Sequence, residues 1–347
     1  MSNVLKVAAM QMDATPAPLT ERLQRAERLV SEAAQSGAQL VVLPELFNIG
    51  YTYTDENFAQ AEFMDGKTSV WMKSTAAHFH VHLAGTILLL ENGDIYNSML
   101  LFSPNGKMWR YDKNYPWAWE RGYFRERRGI TVARTELGDL GMMICWDVGH
   151  PNLWKRYAGK TDMLVVASCP PDAPQASYDF PNGEKIALND MGSAMEALKD
   201  AGKLFFGDMV DQQAQWLGVP VVNSGACGTV RTPIPRADAL LRMFALFAPR
   251  ILKLRAQASQ MQMSCGIMPS CKVADGNGNV VAERHPGEGE GFVMAEVALG
   301  DSKSMPKSQQ PKPPLSFINY QLSILNADVM VPAIMKSIYK NGLKKLK

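Results

Sequence analysis

The sequence predicts an α/β protein with mixed strands, and three observations carry that prediction. Residues 5–11 alternate apolar and polar as a half-buried strand does. Leu19, Leu23, Ala26, Val30 and Ala33 then recur at helical spacing until Gly37, and residues 39–43 form a short apolar strand cut by Pro44. Strand, helix and strand within about forty residues is an α/β signature. The same theme returns after Cys145. Finally, Asn92-Gly93 and the run Asp275-Gly276-Asn277-Gly278-Asn279 mark hairpins, so some strands are antiparallel.

In order, residues 57–79 read as helical with an interruption at Gly66, followed by paired strands over 83–90 and 95–102. A turn at Pro104-Asn105-Gly106 leads through Trp109 and Tyr111 to Lys113. Residues 140–144 form a buried strand that stops on Cys145, since Gly149 and Pro151 break any extension. A helix over 152–158, a strand over 163–167, a helix over about 187–217 and a strand over 219–223 follow. A hairpin over 273–282 and a strand over 292–297 complete one large domain, residues 1–300.

Two stretches break that rhythm. Residues 231–262 read as an insert, with six Arg or Lys against one acid, Asp238, around the apolar run 239–248. Beyond 300, residues 302–314 read as an extended crossing segment, and 329–347 as a basic amphipathic helix. There Val331, Ile334, Met335, Ile338 and Leu346 share a face, and Lys336, Lys340, Lys344, Lys345 and Lys347 supply charge. Such a helix can lie in an anionic membrane interface or pack on protein.

Composition excludes several classes. The chain is 46% hydrophobic and 20% charged, and its net charge of +2 points to neither nucleic acid nor a broadly acidic partner. Five cysteines without a C-x-x-C pair argue against a disulfide framework or a zinc site. The first residues run directly into a strand, so no secretory leader is expected. No apolar run approaches the ~20 residues of a membrane span. A reducing cytoplasmic location is expected, with the basic segments packed on protein and peripheral membrane contact as the alternative.

Three strand-end residues carry the chemistry. Glu45 follows an apolar strand behind Pro44. Lys113 follows a strand and opens a stretch rich in aromatics, Tyr115, Trp117, Trp119, Tyr123 and Phe124, so it and Glu120 are expected in a partly dry setting. Cys145 sits on a strand-to-helix turn, where the N–H of Trp146 can meet an oxyanion. A thiolate nucleophile, a lysine expected to lower the thiol pKa and a glutamate to move protons make a complete set for acyl transfer.

Val41-Val42-Leu43-Pro44-Glu45-Leu46, Tyr111-Asp112-Lys113 with Glu120, and Ile144-Cys145-Trp146-Asp147 with Pro151 resemble the three ordered motifs of the nitrilase (carbon–nitrogen hydrolase) superfamily. Residues 159–162 and 218–223 also look like family positions. The resemblance implies a four-layer αββα sandwich, a Glu45–Lys113–Cys145 triad, a lysine-orienting Glu120, and no metal or organic cofactor. It also implies pairing through the helix after Cys145, with Trp154 and Tyr157 in the contact, as a homodimer or larger even oligomer. Asn152 stands where the family commonly has Glu, and the 231–262 insert is a candidate pocket rim. Cys-Trp-Asp resembles amidases and carbamoyl amidases, whereas Lys113-x-x-Pro116-x-x-x-Glu120-Arg121 looks nitrilase-like.

The substrate expected is therefore a small amide, ureido compound or nitrile, in a pocket walled by Tyr51, Trp117, Trp119, Tyr123 and Trp146. The amidase or carbamoyl amidase reading is preferred, and a nitrilase, a membrane-associated acyl transferase or a non-catalytic scaffold are the alternatives. A papain-like pairing would need His150, and leaves Glu45 and Lys113 unexplained. His78, His80 and His82 alternate as ligands on a strand might, but read more simply as the polar face of an edge strand.

Overall fold

The computed structural model describes residues 4–191, 199, 201–246, 248–301 and 303–346. Its first half contains β1 (Val4–Asp13), α1 (Leu19–Gln35), β2 (Leu40–Val42), α2 (Glu56–Ala59), α3 (Lys67–Phe79), β3 (His82–Glu91), β4 (Asp94–Phe102) and β5 (Met108–Asp112). β1, β2 and β3 run parallel, while β3, β4 and β5 are antiparallel. The β3–β4 turn places Asn92 and Gly93 both at positive φ, as a two-residue hairpin requires.

The second half begins with β6 (Val132–Thr135), β7 (Gly138–Ile144), α4 (Pro151–Tyr157), β8 (Met163–Ala167), β9 (Ser177–Asp179) and β10 (Lys185–Ile186). It continues through α5 (Ala201–Phe206), α6 (Asp208–Leu217), β11 (Val221–Cys227), β12 (Val230–Pro233), α7 (Ala237–Phe244), β13 (Gln262–Cys265), β14 (Cys271–Ala274), β15 (Val280–Arg284) and β16 (Gly291–Ala298). The long sheet runs β5-β4-β3-β2-β1-β11-β8-β7-β6, and its halves join where the end of β1 pairs in parallel with β11. β16 returns antiparallel along β1. A smaller sheet, β10-β9-β13-β12, stands apart.

The layers follow from side-chain alternation. Along β1, Ala8, Met10 and Met12 pack in the core beneath α1 and α3, whereas Leu5, Val7 and Ala9 belong to the core shared with the other half-sheet. β1 is thus covered on both faces rather than half-buried, because two apolar layers claim its two sets of side chains. α4, α5 and α6 cover the second half-sheet, giving the four-layer αββα sandwich.

Several expectations change. The long helix over 187–217 is instead a 3-10 turn at Leu188–Met191, then α5 and α6, with Gly207 breaking the last two at φ −91, ψ −102. Residues 192–198 and 200 of that prediction lie outside the described residues. His78 lies in the last turn of α3, His80 caps it at positive φ, and only His82 is on a strand, so the three do not share a strand face. Trp154 and Tyr157 are fully buried in their own chain, donating to Val148 O and Met142 O, and cannot supply an intersubunit surface.

The 231–262 stretch is woven into the small sheet, since β12 and β13 pair across it and Leu240, Phe244, Ile251 and Leu254 are buried. The described residues 303–314 hold neither helix nor strand. They lead into α8 (Phe317–Leu325), a π turn (Asn326–Met330) and α9 (Val331–Lys344). Val331 and Met335 are buried against the chain itself. The amphipathic face that looked available for a membrane is therefore engaged in packing.

Candidate active site

β2, β5 and β7 end at the same place. Glu45 lies just beyond β2, Lys113 directly follows β5, and Cys145 follows β7; all three are buried. Lys113 Nζ donates to Glu45 Oε1 at 2.7 Å and to Glu120 Oε2 at 2.7 Å. Glu45 also accepts from Asn97 Nδ2 at 2.8 Å and from the Cys169 N–H at 3.2 Å. Glu120 accepts from the Trp117 N–H at 2.7 Å and from the Tyr51 hydroxyl at 2.5 Å. Every carboxylate oxygen here is met by a donor.

One lysine between two buried carboxylates leaves a net negative charge if both are ionised. Burial, opposed by Lys113 and reinforced by Glu120, raises the Glu45 carboxyl to about 7. Burial alone would depress Lys113, but Glu120 and Glu45 hold it above the ordinary lysine range. The Cys145 thiol is raised well above its usual value, first by burial and then by Glu45, with Lys113 opposing. This corrects the expectation of a thiol lowered by lysine, because desolvation and the carboxylates outweigh the single cation. Burial thus disfavours ionisation of both the Cys145 thiol and the neighbouring Glu45 carboxyl.

Cys145 is strained into position. Its φ of +47 is left-handed, an unusual state for a residue other than glycine, at the step from β7 into the 3-10 turn Cys145–Gly149. The N–H of Trp146 falls in the first turn, where N–H groups lack intrahelical partners. Asp147 holds the step in place. Its Oδ1 accepts from the N–H groups of Asn114 (3.1 Å) and Tyr115 (2.9 Å), and its Oδ2 from Tyr111 Oη (2.6 Å) and the Ile144 N–H (3.0 Å). One buried carboxylate thus ties the lysine loop to the cysteine turn, a role its place in the motif did not reveal.

A cavity of about 120 Å³ opens onto Cys145, lined by Tyr51, Trp117, Trp119 and Trp146 as expected from sequence. Tyr123 is not among its walls. Its hydroxyl donates to Tyr53 O at 2.6 Å and its ring packs on Phe58, behind the wall. Phe205 and Phe206 of α5, Leu240 and Phe244 of α7, and Ser323, Asn326, Ala327 and Val331 of the C-terminal helix also line it. Among the described lining residues no side chain is acidic, basic or histidine.

The C-terminal contribution had no local signal. Asp328 accepts from Trp146 Nε1 at 3.1 Å and lies 2.9 Å from His150 Nε2. His150 Nδ1 lies 3.1 Å from Trp146 O, and its ring stacks on Tyr115. Both ring nitrogens are therefore occupied away from the thiol, which leaves no papain-like arrangement.

Comparison with known proteins finds relatives both in sequence and in fold. A nitrilase from Pyrococcus abyssi is 34% identical over 163 residues, 45% of this chain and 62% of the relative. A deaminated glutathione amidase from Synechocystis is 34% identical over 177 residues, 46% and 64%. An omega-amidase from Xenopus laevis is 30% identical over 177 residues, 46% and 62%. The matches thus span under two thirds of these relatives' lengths. Among solved structures, an amidase from Nesterenkonia superposes with TM-score 0.62 at 16% identity, covering 87% of this chain and 93% of that one. A carbon–nitrogen hydrolase superfamily protein from Xanthomonas campestris, with an arsenic adduct in its active site, gives 0.60 at 16%, covering 84% and 90%. The family model for carbon–nitrogen hydrolases matches residues 6–307, and the chain belongs to that family.

Proposed function

We propose that this chain is a cysteine-dependent amidase acting on small, uncharged amides with an apolar or aromatic acyl part. The observation that carries the reading is the buried Lys113 held between Glu45 and Glu120 at the end of a cavity reached by Cys145. Burying such a cluster costs several kcal/mol per ion, which a structural role alone does not call for.

The steps follow from the groups present. Glu45 takes the Cys145 proton as the sulfur attacks the amide carbon. Lys113 and the Trp146 N–H offset the oxyanion, and removing one such donor costs about 3–4 kcal/mol elsewhere. Protonated Glu45 then gives its proton to the leaving amine, and a thioester remains. Glu45 next takes a proton from water as that water attacks the thioester, and the acid leaves with the thiol restored.

Substrate class rests on the walls. An apolar cavity of ~150 Å³ takes benzene, so about 120 Å³ suits a small branched or aromatic acyl group. A substrate carboxylate would meet no cation among the described lining residues, which weighs against ureido acids. Ammonia release from a panel of neutral amides, carboxylate-bearing amides, ureido acids and nitriles tests the reading. Turnover of the neutral amides should exceed the rest. Preference for a carboxylate-bearing amide would overturn the substrate class, and preference for nitriles would make the chain a nitrilase.

A further inference from the structure

The C-terminal helix has two faces with different uses. α8, the π turn and α9 form one continuous run from Phe317 to Lys344. Ser323, Ala327, Val331, Met335 and Tyr339 are buried at four-residue spacing, and the first three of these roof the cavity. The opposite face is exposed at Ile318, Gln321, Leu325, Val329, Ala333, Lys336, Lys340 and Lys344, again every three or four residues. Its first half is apolar: Phe317 is 78% exposed, Ile318 67%, Leu325 45% and Val329 56%. Its second half is cationic.

Charge identifies what fits this face. Residues 303–346 contain seven lysines, all exposed, and a single acid, Asp328, which is turned inward to Trp146 and His150. Lysines lie on both sides of the apolar stretch, Lys312 before it and Lys336 after it. Two copies meeting along this face would set lysine against lysine if parallel and lysine against apolar side chains if antiparallel. In neither case would residues 303–346 offer an outward acid to pair with them. A partner that accepts apolar side chains while offering negative charge at the same depth is an anionic lipid surface. No helix among the described residues is long and apolar enough to cross a membrane, so the run would lie on the surface.

We infer that the outer face of residues 317–344 docks on anionic lipid bilayers, with Phe317, Ile318, Leu325 and Val329 inserted at the headgroup boundary and Lys336, Lys340 and Lys344 over the phosphates. The apolar face that sequence periodicity assigned to this role, Val331 to Leu346, is mostly spent on packing, and the exposed one lies a turn or more earlier. The same helix roofs the cavity, so docking brings the site to the lipid boundary. The inference does not depend on the amidase reading.

Co-sedimentation of the full chain with phosphatidylcholine vesicles, with and without phosphatidylserine, tests it at low and high salt. Binding should require phosphatidylserine, weaken with salt, and drop at least about tenfold in Ile318→Ser/Val329→Ser and in Lys336→Gln/Lys340→Gln. All four positions are exposed, so melting temperatures and turnover of a soluble amide without vesicles should match the parent. Absence of binding to anionic vesicles at low salt overturns the inference, as does binding unchanged in both variants. If the apolar variant instead lowers the mass seen by light scattering while vesicles are ignored, the face joins copies of the chain and the inference is also wrong.

Discussion

The indole N–H of Trp146 is bonded to Asp328 across 182 residues of sequence, at 3.1 Å. The residue that follows the nucleophile is thereby held by a helix from the far end of the chain. Asp328→Ala should raise KM for small amides several-fold and lower kcat less, at a stability cost of about 1–3 kcal/mol for the unpaired donors. Steady-state kinetics and urea melts measure both, and an unchanged KM would show that the roof does not depend on this contact.

Cys145→Ala should remove turnover while the protein stays folded, because the change is small and relieves no packing partner beyond the thiol. Mass spectrometry should also lose any thioester trapped from a slow amide. Residual hydrolysis near the parent rate would rule out the sulfur as nucleophile.

Lys113→Gln should cut kcat at least about a hundredfold by removing the cation that faces the oxyanion. It also leaves Glu45 and Glu120 buried without their shared partner, so a loss of about 3–5 kcal/mol is expected. Chemical denaturation distinguishes a variant that is folded and slow from one that is simply unfolded.

Glu45 predicts the pH behaviour. Its carboxyl is raised from the ordinary 4.5 to about 7, so the folded protein binds a proton more tightly than the unfolded chain. That contribution to stability is complete below pH 4.5 and is lost as pH rises through 7. Activity should do the opposite, with kcat/KM falling on the acid side at an apparent pKa near 7 as the base is protonated. In Glu45→Gln the pH-dependent fall in stability over this window should flatten. A parent profile whose acid limb lies near 4.5 would mean Glu45 is not the group that titrates.

Phe244 belongs to the stretch that sequence set apart as an insert, and it lines the cavity. Phe244→Ala should shift kcat/KM toward bulkier acyl groups, at a stability cost of about 3–5 kcal/mol. Rates on amides of increasing acyl size give the comparison, and an unchanged size preference would remove α7 from the specificity wall.

By itself the sequence determined what local rules govern. The alternation along β1, the Asn92-Gly93 hairpin and Glu45, Lys113 and Cys145 at strand ends depend on residues close together in the chain, so periodicity and turn chemistry reveal them. Tertiary structure decided what depends on distant partners. Burial beside two carboxylates, rather than the nearby lysine, sets the state of the Cys145 thiol. Tyr123 was withdrawn from the pocket by the Tyr53 carbonyl, and Trp154 and Tyr157 from any interface by their own core. The roof over the site came from Ser323 to Val331, because only the folded sandwich presents Trp146 and His150 for Asp328 to meet. Hydrophobic spacing tells that a helix has an apolar side, but which surface buries that side is decided by the packing of elements far apart in the chain.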